Sequence, residues 1–259
     1  MNVVVTVKQI PDPAEPGSLD ADNTLNRSGK LILDEADSYG VEMALQLVAA
    51  AGEGEVTLVS VTADGEVSGL RSALAMGADK AILVSDPAIA GSDALGTAKI
   101  LAAAIGRVEG VDLVLSAVEA SDGYTGTLAA QLAELLGFNA ATFAKHVEVA
   151  DDTLKVQRQT EAGYDEVTTA LPALVSVTAG VVEPRYPSFK GIMAAKNKPV
   201  DQVTIADLGL DASQVGWDGA RQQITDVTPA PEREAGEKVV DEGDAHEKIV
   251  AFLEELKVI

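Results

Sequence analysis

The sequence predicts an α/β fold: a three-layer sandwich in which helices cover a mainly parallel sheet. Short β-branched runs alternate with longer segments whose apolar residues recur at helical spacing. This alternation implies right-handed β-α-β crossovers. The composition is 47% hydrophobic but only 3% aromatic, and a core of Ala, Val, Leu and Ile suits a buried parallel sheet. Beyond residue 137 the pattern changes, and a small antiparallel extension is expected.

Strands and helices alternate along the first 137 residues. The β-branched runs are predicted strands: residues 2–7, 55–61, 80–84 and 111–116. Apolar residues at helical spacing predict helices at residues 37–51, 70–77, 94–105 and 125–136. Ser92-Asp93 is a suitable N-cap for the third helix. This order predicts a Rossmann-like domain that binds ligands beyond the carboxyl ends of its strands.

The second half begins with three predicted antiparallel strands, at residues 143–149, 153–159 and 166–171. An apolar strand at residues 173–177 and a short helix at residues 191–197 follow. We expect a main domain of residues 1–210, which includes this extension, and a C-terminal tail of residues 211–259.

The tail is rich in Gly, Pro and acidic residues until an amphipathic helix predicted at residues 245–256. That helix presents Ile249, Phe252, Leu253 and Leu256 on one face. Because the tail is too polar to form a core alone, we expect it to wrap around the main domain or a partner subunit.

The composition excludes several classes of protein. The 19 basic and 41 acidic residues give a formal net charge of −22, which repels nucleic acid and anionic membranes. The chain has no cysteine, so disulfides, zinc–thiolate sites, iron–sulfur ligation and thiol catalysis are excluded. A redox role therefore requires a bound cofactor.

The sequence offers neither an export signal nor a catalytic motif. Its first residues form a strand-like run without a basic leader, and no apolar stretch reaches the ~20 residues that cross a bilayer, so a cytoplasmic location is expected. The only histidines, His146 and His246, are not linked by a motif to a serine or carboxylate. We therefore expect no catalytic residues and no metal site.

The segment VEASDGYTG at residues 118–126 lies between a predicted strand and a predicted helix. It offers small residues, hydroxyl groups and backbone N–H groups near a helix N-terminus, which are features that bind an anionic phosphate. A glycine-containing turn that merely caps a helix is the alternative. No dinucleotide-binding fingerprint or phosphate loop is present.

A basic segment interrupts this acidic chain. Residues 185–198 contain Arg185, Lys190, Lys196 and Lys198 and no acidic residue. The same segment contains Tyr186, Phe189, Ile192 and Met193, and basic residues around apolar anchors fit a docking surface. Alternatively, Ile192 and Met193 pack on the chain's own core while the lysines face water.

Several motifs resemble those of electron transfer flavoprotein β subunits. The most specific are LPALVSV at residues 171–177 and EPRYPSFKGIMAAK at residues 183–196. LRSALAMGADK at residues 70–80 and VKQIPD at residues 7–12 are also similar to that family. The resemblance extends over essentially the whole chain.

The resemblance implies a heterodimer in which the α subunit holds most of the FAD and this chain holds a structural AMP. Electrons are expected to come from flavin dehydrogenases such as acyl-CoA dehydrogenases and to leave to a quinone oxidoreductase. The redox chemistry belongs to the cofactor, so the chain is an electron carrier subunit rather than an enzyme.

The resemblance also implies which residues contact the nucleotide, mostly through backbone groups. They are Thr6, Asp34, Asp37, Val61, Glu119, Asp122, Gly123, Tyr124, Thr125, Gly126, Thr127 and Ala130. The phosphate is expected at residues 123–126, and the acidic residues at 34–37 are expected to meet adenine or ribose. The implied docking residues are Arg185, Tyr186, Phe189, Lys190, Ile192, Met193 and Lys196, with Phe189 as the apolar anchor.

Two other functions stay open at this point. One is a bifurcating electron transfer flavoprotein, in which FAD replaces AMP in the β site. The other is a stand-alone adenine-nucleotide-binding or hydrolysing protein of the same layout, similar to universal stress proteins. That second function leaves the acidic tail and the basic segment without a purpose.

Overall fold

A computed structural model describes residues 1–228, 230–231, 235–236 and 238–259. Its strands are β1 (Asn2–Thr6), β2 (Gln9–Pro11), β3 (Leu31–Leu33), β4 (Glu55–Thr62), β5 (Lys80–Ser85), β6 (Leu113–Ala117), β7 (Asn139–Ala150), β8 (Thr153–Thr160), β9 (Gly163–Ala170), β10 (Ala173–Val177) and β11 (Val200–Val203). Its α-helices are α1 (Glu35–Ala51), α2 (Ser68–Met76), α3 (Ala94–Ile105), α4 (Leu128–Leu136), α5 (Phe189–Ala195), α6 (Gly216–Gly219) and α7 (Ala245–Glu255).

Nine strands form one sheet in the order β11-β5-β4-β1-β6-β10-β7-β8-β9. Neighbouring strands from β11 to β7 are parallel, whereas β8 and β9 pair antiparallel beyond β7. Strands β2 and β3 form a separate antiparallel pair. The structure confirms the predicted α/β fold with a mainly parallel sheet, and the antiparallel extension continues that sheet.

Two apolar cores cover the two faces of the sheet. Val3, Val5 and Leu58 lie in one core with residues of α1 and α2. Val4 and Val114 lie in the other with residues of α3 and α4. Alternate strand residues enter opposite cores because successive side chains point to opposite faces. This arrangement confirms the three-layer prediction.

The ends of the helices follow from local capping. Asp93 accepts a hydrogen bond from the Gly96 amide at 2.7 Å and caps α3, which confirms that predicted N-cap. The predicted start of α4 at residue 125 is wrong, because Tyr124 and Gly126 have left-handed φ angles of 49° and 66°. Helix α4 therefore begins at Leu128. Strands β2, β3 and β11 were not predicted.

The described chain forms two compact units, Met1–Ile224 and Thr225–Ile259. Residues 211–224, which the sequence analysis placed in the tail, belong to the first unit. There the Gly216 amide donates to Ser92 Oγ at 2.7 Å. Residues 229, 232–234 and 237 of the predicted tail lie outside the described part.

The second unit contains α7, the amphipathic helix that the sequence predicted. Its apolar side chains Ile249, Phe252 and Leu256 are exposed. Among the described residues, no helix has the length and apolar character that a bilayer span requires.

Candidate functional site

The carboxyl ends of β4, β1, β6 and β10 meet at one edge of the sheet, because these strands are parallel neighbours. Thr6 ends β1 directly after Val5, which pairs with Leu115 of β6, and the next residue of β6, Ser116, pairs with Ser176 of β10. All three hydroxyl side chains are buried. Val61, near the end of β4, is half-buried. The structure thus brings the predicted Thr6 and Val61 to the edge where ligands bind in this class of fold.

Asp34 joins the start of α1 to the β6–α4 loop, defined as residues 118–127. One carboxylate oxygen caps α1 by accepting from the Ala36 amide at 3.1 Å. The other accepts from the amide and hydroxyl of Ser121, at 2.7 and 3.0 Å. Asp34 is buried, and both oxygens are already bonded. Its side chain therefore positions the loop.

Asp122 holds two cations at the same loop. It accepts from Lys8 Nζ at 2.6 Å and from the Arg27 guanidinium. Its side chain is only 5% exposed, whereas those of Lys8 and Arg27 are 42% and 39% exposed. Burial raises the pKa of Asp122, but attraction to Lys8 and Arg27 outweighs burial and lowers it. Lys8 and Arg27 are also close to other carboxylates, because Asp37 accepts from the Lys8 amide and Asp64 is attracted to Arg27.

Asp37 lies beneath this cluster on α1. Its carboxylate accepts from the Lys8 amide at 2.6 Å. Burial raises the pKa of Asp37 well above its usual range, and the negative charges of Asp34 and Asp122 add to that increase. Asp37 therefore supports the backbone at Lys8, which places the Lys8 side chain near Asp122.

The β6–α4 loop has free backbone donors. Within the described part of the chain, the amides of Thr125, Gly126 and Thr127 donate to no acceptor. Thr127 precedes α4 and makes no side-chain capping bond, so the first turn of the helix also keeps unpaired N–H groups. Such donors bind anions. Ala130, in this first turn of α4, is exposed.

An open groove of about 1030 Å³ adjoins this loop. Glu119, Ser121 and Tyr124 line it from the loop, Phe143 lines it from β7, and residues 158–162 line it from the β8–β9 hairpin. Phe143 has a left-handed φ of 60° at an irregularity where β7 pairs with β10. No sequence pattern indicates that Phe143 and the hairpin line this groove, because only the strand pairing brings them to the loop.

The second predicted region is the docking loop, defined as residues 185–196. Tyr186 and Phe189 are 94% and 80% exposed, and Ile192 and Met193 are about half exposed. The alternative in which Ile192 and Met193 are buried in the core is therefore wrong. Lys190 and Lys196 are also exposed on this loop.

Arg185 differs from the other predicted docking residues. Its Nε and Nη2 atoms donate to the two carboxylate oxygens of Glu42, at 2.6 and 3.0 Å. Glu42 lies on α1 and is buried. No sequence pattern predicts this pair, because its members are 143 residues apart.

Comparisons with known proteins assign the family. A family model described as an electron transfer flavoprotein domain matches residues 22–208. The electron transfer flavoprotein subunit beta of Mycobacterium bovis is 40% identical over 264 residues, which cover 100% of this chain and 99% of that protein. The same subunit of Megasphaera elsdenii is 34% identical, with coverages of 96% and 95%.

A third relative is the caffeyl-CoA reductase-Etf complex subunit CarD of Acetobacterium woodii, which is 33% identical, with 92% of each chain covered. All three matches span nearly the full chain. The chain therefore belongs to the electron transfer flavoprotein family as a β subunit, and its role is electron transfer.

Proposed function

We propose that this chain pairs with an electron transfer flavoprotein α subunit and binds AMP at the β6–α4 loop, while the α subunit holds most of the FAD. The heterodimer accepts electrons from flavin dehydrogenases, such as acyl-CoA dehydrogenases, and passes them to a quinone oxidoreductase. The bound flavin supplies the redox chemistry. This chain's residues bind the nucleotide, hold the loop in place and dock the electron donor.

The observation that supports AMP most strongly is the set of unpaired amides at residues 125–127 on the loop whose Asp122 binds Lys8 and Arg27. A phosphate accepts hydrogen bonds from such amides, and Lys8 and Arg27 offset its charge. The Glu119 carboxylate lies next to Gly126, so it suits a ribose hydroxyl better than the phosphate.

The buried hydroxyls also fit a nucleotide. Ser116 Oγ is buried and makes no hydrogen bond within the described part of the chain, although buried polar groups are normally paired. Ser116 follows Leu115, the partner of Val5 in β1, at the edge of the sheet where this class of fold binds ligands. A polar adenosine group at this edge supplies the kind of partner that Ser116 lacks.

The docking loop supports recognition of a dehydrogenase. An aromatic anchor among apolar side chains, surrounded by lysines, is typical of an interface centre with a charged rim. Phe189 is the anchor, and Lys190 and Lys196 steer an acidic partner surface. These lysines are unusual in a chain with a net charge of −22.

In this proposal the C-terminal tail contacts the α subunit. The exposed apolar face of α7 contains Ile249, Phe252 and Leu256, and burying such side chains contributes about 1.5–3 kcal/mol each. We assign this face to the surface that wraps around the α subunit.

A pair of glycine variants tests nucleotide binding. Gly126 and Gly137 have φ angles of 66° and 67° and lie at opposite ends of α4. Replacing either with Ala adds similar backbone strain, of about 1–2 kcal/mol. A Cβ at Gly126 meets the Glu119 carboxylate at 3.1 Å, whereas a Cβ at Gly137 meets nothing within 4 Å.

We expect G126A to reduce the AMP content of the co-purified heterodimer and G137A to retain it. Released nucleotides are quantified by chromatography. Equal AMP contents in both variants, at the level of the unmodified heterodimer, contradict binding at this loop.

A β site that holds FAD in place of AMP is the second candidate, as in bifurcating flavoproteins. The groove of about 1030 Å³ beside the loop favours it, because this volume is at the upper end of the usual range for ligand sites. Two flavins per heterodimer and no AMP support this candidate.

A further inference from the structure

The docking loop is fixed at its first residue by a buried carboxylate. Glu42 of α1 accepts from Arg185 through the backbone amide at 3.3 Å, through Nε at 2.6 Å and through Nη2 at 3.0 Å. Its Oε1 atom also accepts from Gln46 at 2.8 Å. The Glu42 side chain is 5% exposed and that of Arg185 is 49% exposed. The carboxylate is therefore buried and bonded on all sides, while one edge of the guanidinium stays in water.

The charge state of Glu42 agrees with this geometry. Burial raises the pKa of Glu42, but the hydrogen bonds from Arg185 and Gln46 outweigh burial and lower it. The hydrogen bond to Glu42 in turn raises the pKa of Arg185. Glu42 is thus ionised when it holds the loop, and charge-assisted, forked contacts of this kind fix both distance and orientation.

The other end of the loop is fixed through α2. Arg71 of α2 donates to the carbonyl oxygens of Ala195 and Lys198, at 2.7 and 2.8 Å. Lys198 donates in turn to the carbonyls of Leu74 and Gly77, at 3.2 and 3.0 Å. These carbonyls end α2, where a cation is also favoured by the helix dipole.

The backbone between these two ends lies tightly against α2. A Cβ placed on Gly191 would lie 2.4 Å from the Ala75 carbonyl oxygen, so only glycine fits there. Ser188 Oγ accepts from the Gly191 amide at 3.0 Å and caps α5. The backbone is therefore held from beneath, while the side chains of Tyr186 and Phe189 extend into solvent.

We propose that Glu42 is a positioning residue for electron-donor docking: it holds Arg185 so that the docking loop presents Phe189 in a fixed orientation. Arg185 is then an internal support and not a contact to the dehydrogenase. The inference rests on the proposed docking function of residues 185–196. It assigns a role to a buried residue of α1 that lies outside that loop.

The direction in which Glu42→Gln changes KM distinguishes a positioning role of Glu42 from direct contact between Arg185 and the dehydrogenase. If the Arg185 guanidinium docks the dehydrogenase itself, Glu42→Gln frees it and the KM for the flavoprotein stays equal or falls. If Glu42 positions the loop, the same change raises KM, because a mobile loop must be ordered on binding. Once bound, the donor reaches the flavin as before, so kcat is unchanged.

The experiment uses the co-purified heterodimer and an acyl-CoA dehydrogenase as electron donor. We expect E42Q to raise KM about ten-fold, since a buried charged partner is lost, while kcat, flavin content and AMP content stay at the unmodified level. Arg185→Lys keeps the charge but loses the fork, so we expect a smaller rise in KM. If the E42Q heterodimer fails to assemble, the KM of the R185K heterodimer tests the proposal instead.

Two further variants make the outcome decisive. Glu55→Gln removes the carboxylate of an exposed ion pair with Lys80, and we expect it to leave KM unchanged. Phe189→Ala tests the docking loop itself. A raised KM for F189A with an unchanged KM for E42Q and R185K overturns the role of Glu42 but leaves the docking function intact. An unchanged KM for F189A overturns the docking function and this inference together.

Discussion

Replacing Asp122 with Asn removes the carboxylate that holds Lys8 and Arg27 at the β6–α4 loop. The Asn side chain keeps the shape of Asp but carries no charge. Lys8 and Arg27 then lose the carboxylate that they share, and the loop loses its connection to the segment that contains Arg27. We expect the variant heterodimer to be less stable.

The size of the effect follows from the exposure of the three side chains. Asp122 is 5% exposed, so it depends on its two partners for solvation, but Lys8 and Arg27 are about two-fifths exposed and regain water. We therefore expect a loss of about 2 kcal/mol, within the range for hydrogen bonds to charged groups. For a chain of this size such a loss lowers Tm by about 4–8 °C.

The effect also depends on pH. Because the folded pKa of Asp122 is lowered, its stabilisation is present above the unfolded value of about 3.9 and is lost as pH falls through the folded value. Thermal unfolding of both heterodimers at pH 7 and at about pH 3, below the unfolded value, measures this. We expect the Tm difference to shrink at the lower pH.

Asp201→Asn is the matched control. Asp201 is 59% exposed and lies 3.5 Å from Arg107, and an exposed pair contributes about 0–1 kcal/mol. A Tm for D122N that is no lower than that of D201N at pH 7 would refute the structural role of Asp122.

Three further predictions concern α1 and the docking loop. Burial raises the folded pKa of Asp37. Ionisation of Asp37 therefore destabilises the fold increasingly as pH rises above about 4. The Tm of the D37N heterodimer, relative to that of the unmodified heterodimer, should rise with pH. F189A should weaken dehydrogenase binding about 30-fold with flavin content intact, as donor-coupled assays would report. G191A should lower Tm through overpacking of about 1–3 kcal/mol, whereas G29A, with nothing within 4 Å of its Cβ, should not.

Much of the fold could be predicted because it depends on local sequence patterns. The buried strands β1, β4, β5, β6 and β10 are continuous β-branched or aliphatic runs, and their order with the helices implies the parallel sheet. Strands β2, β3 and β11 have only 3 or 4 residues each, which is too short for a periodic signal.

The site could be predicted only in part, since it depends on contacts between distant residues. The β6–α4 loop was recognised because its residues are consecutive. The roles of Asp34, Asp37 and Arg185 were not, because each side chain is bonded to a residue from 29 to 143 positions away. A carboxylate that holds a loop and one that contacts a ligand look alike in sequence.

The start of α4 was missed for a different reason. The residues that flank positions 125–127 are compatible with a helix. Tyr124, however, adopts a left-handed φ, which non-glycine residues rarely take. Such a conformation depends on the surrounding structure. It leaves the amides of the loop unpaired, and the proposed phosphate site depends on them.

Nucleotide binding is tested most directly by co-expressing this chain with its α subunit, purifying the complex and counting the released nucleotides by chromatography. We expect one FAD and one AMP per heterodimer. Two FAD and no AMP would contradict AMP binding at the β6–α4 loop.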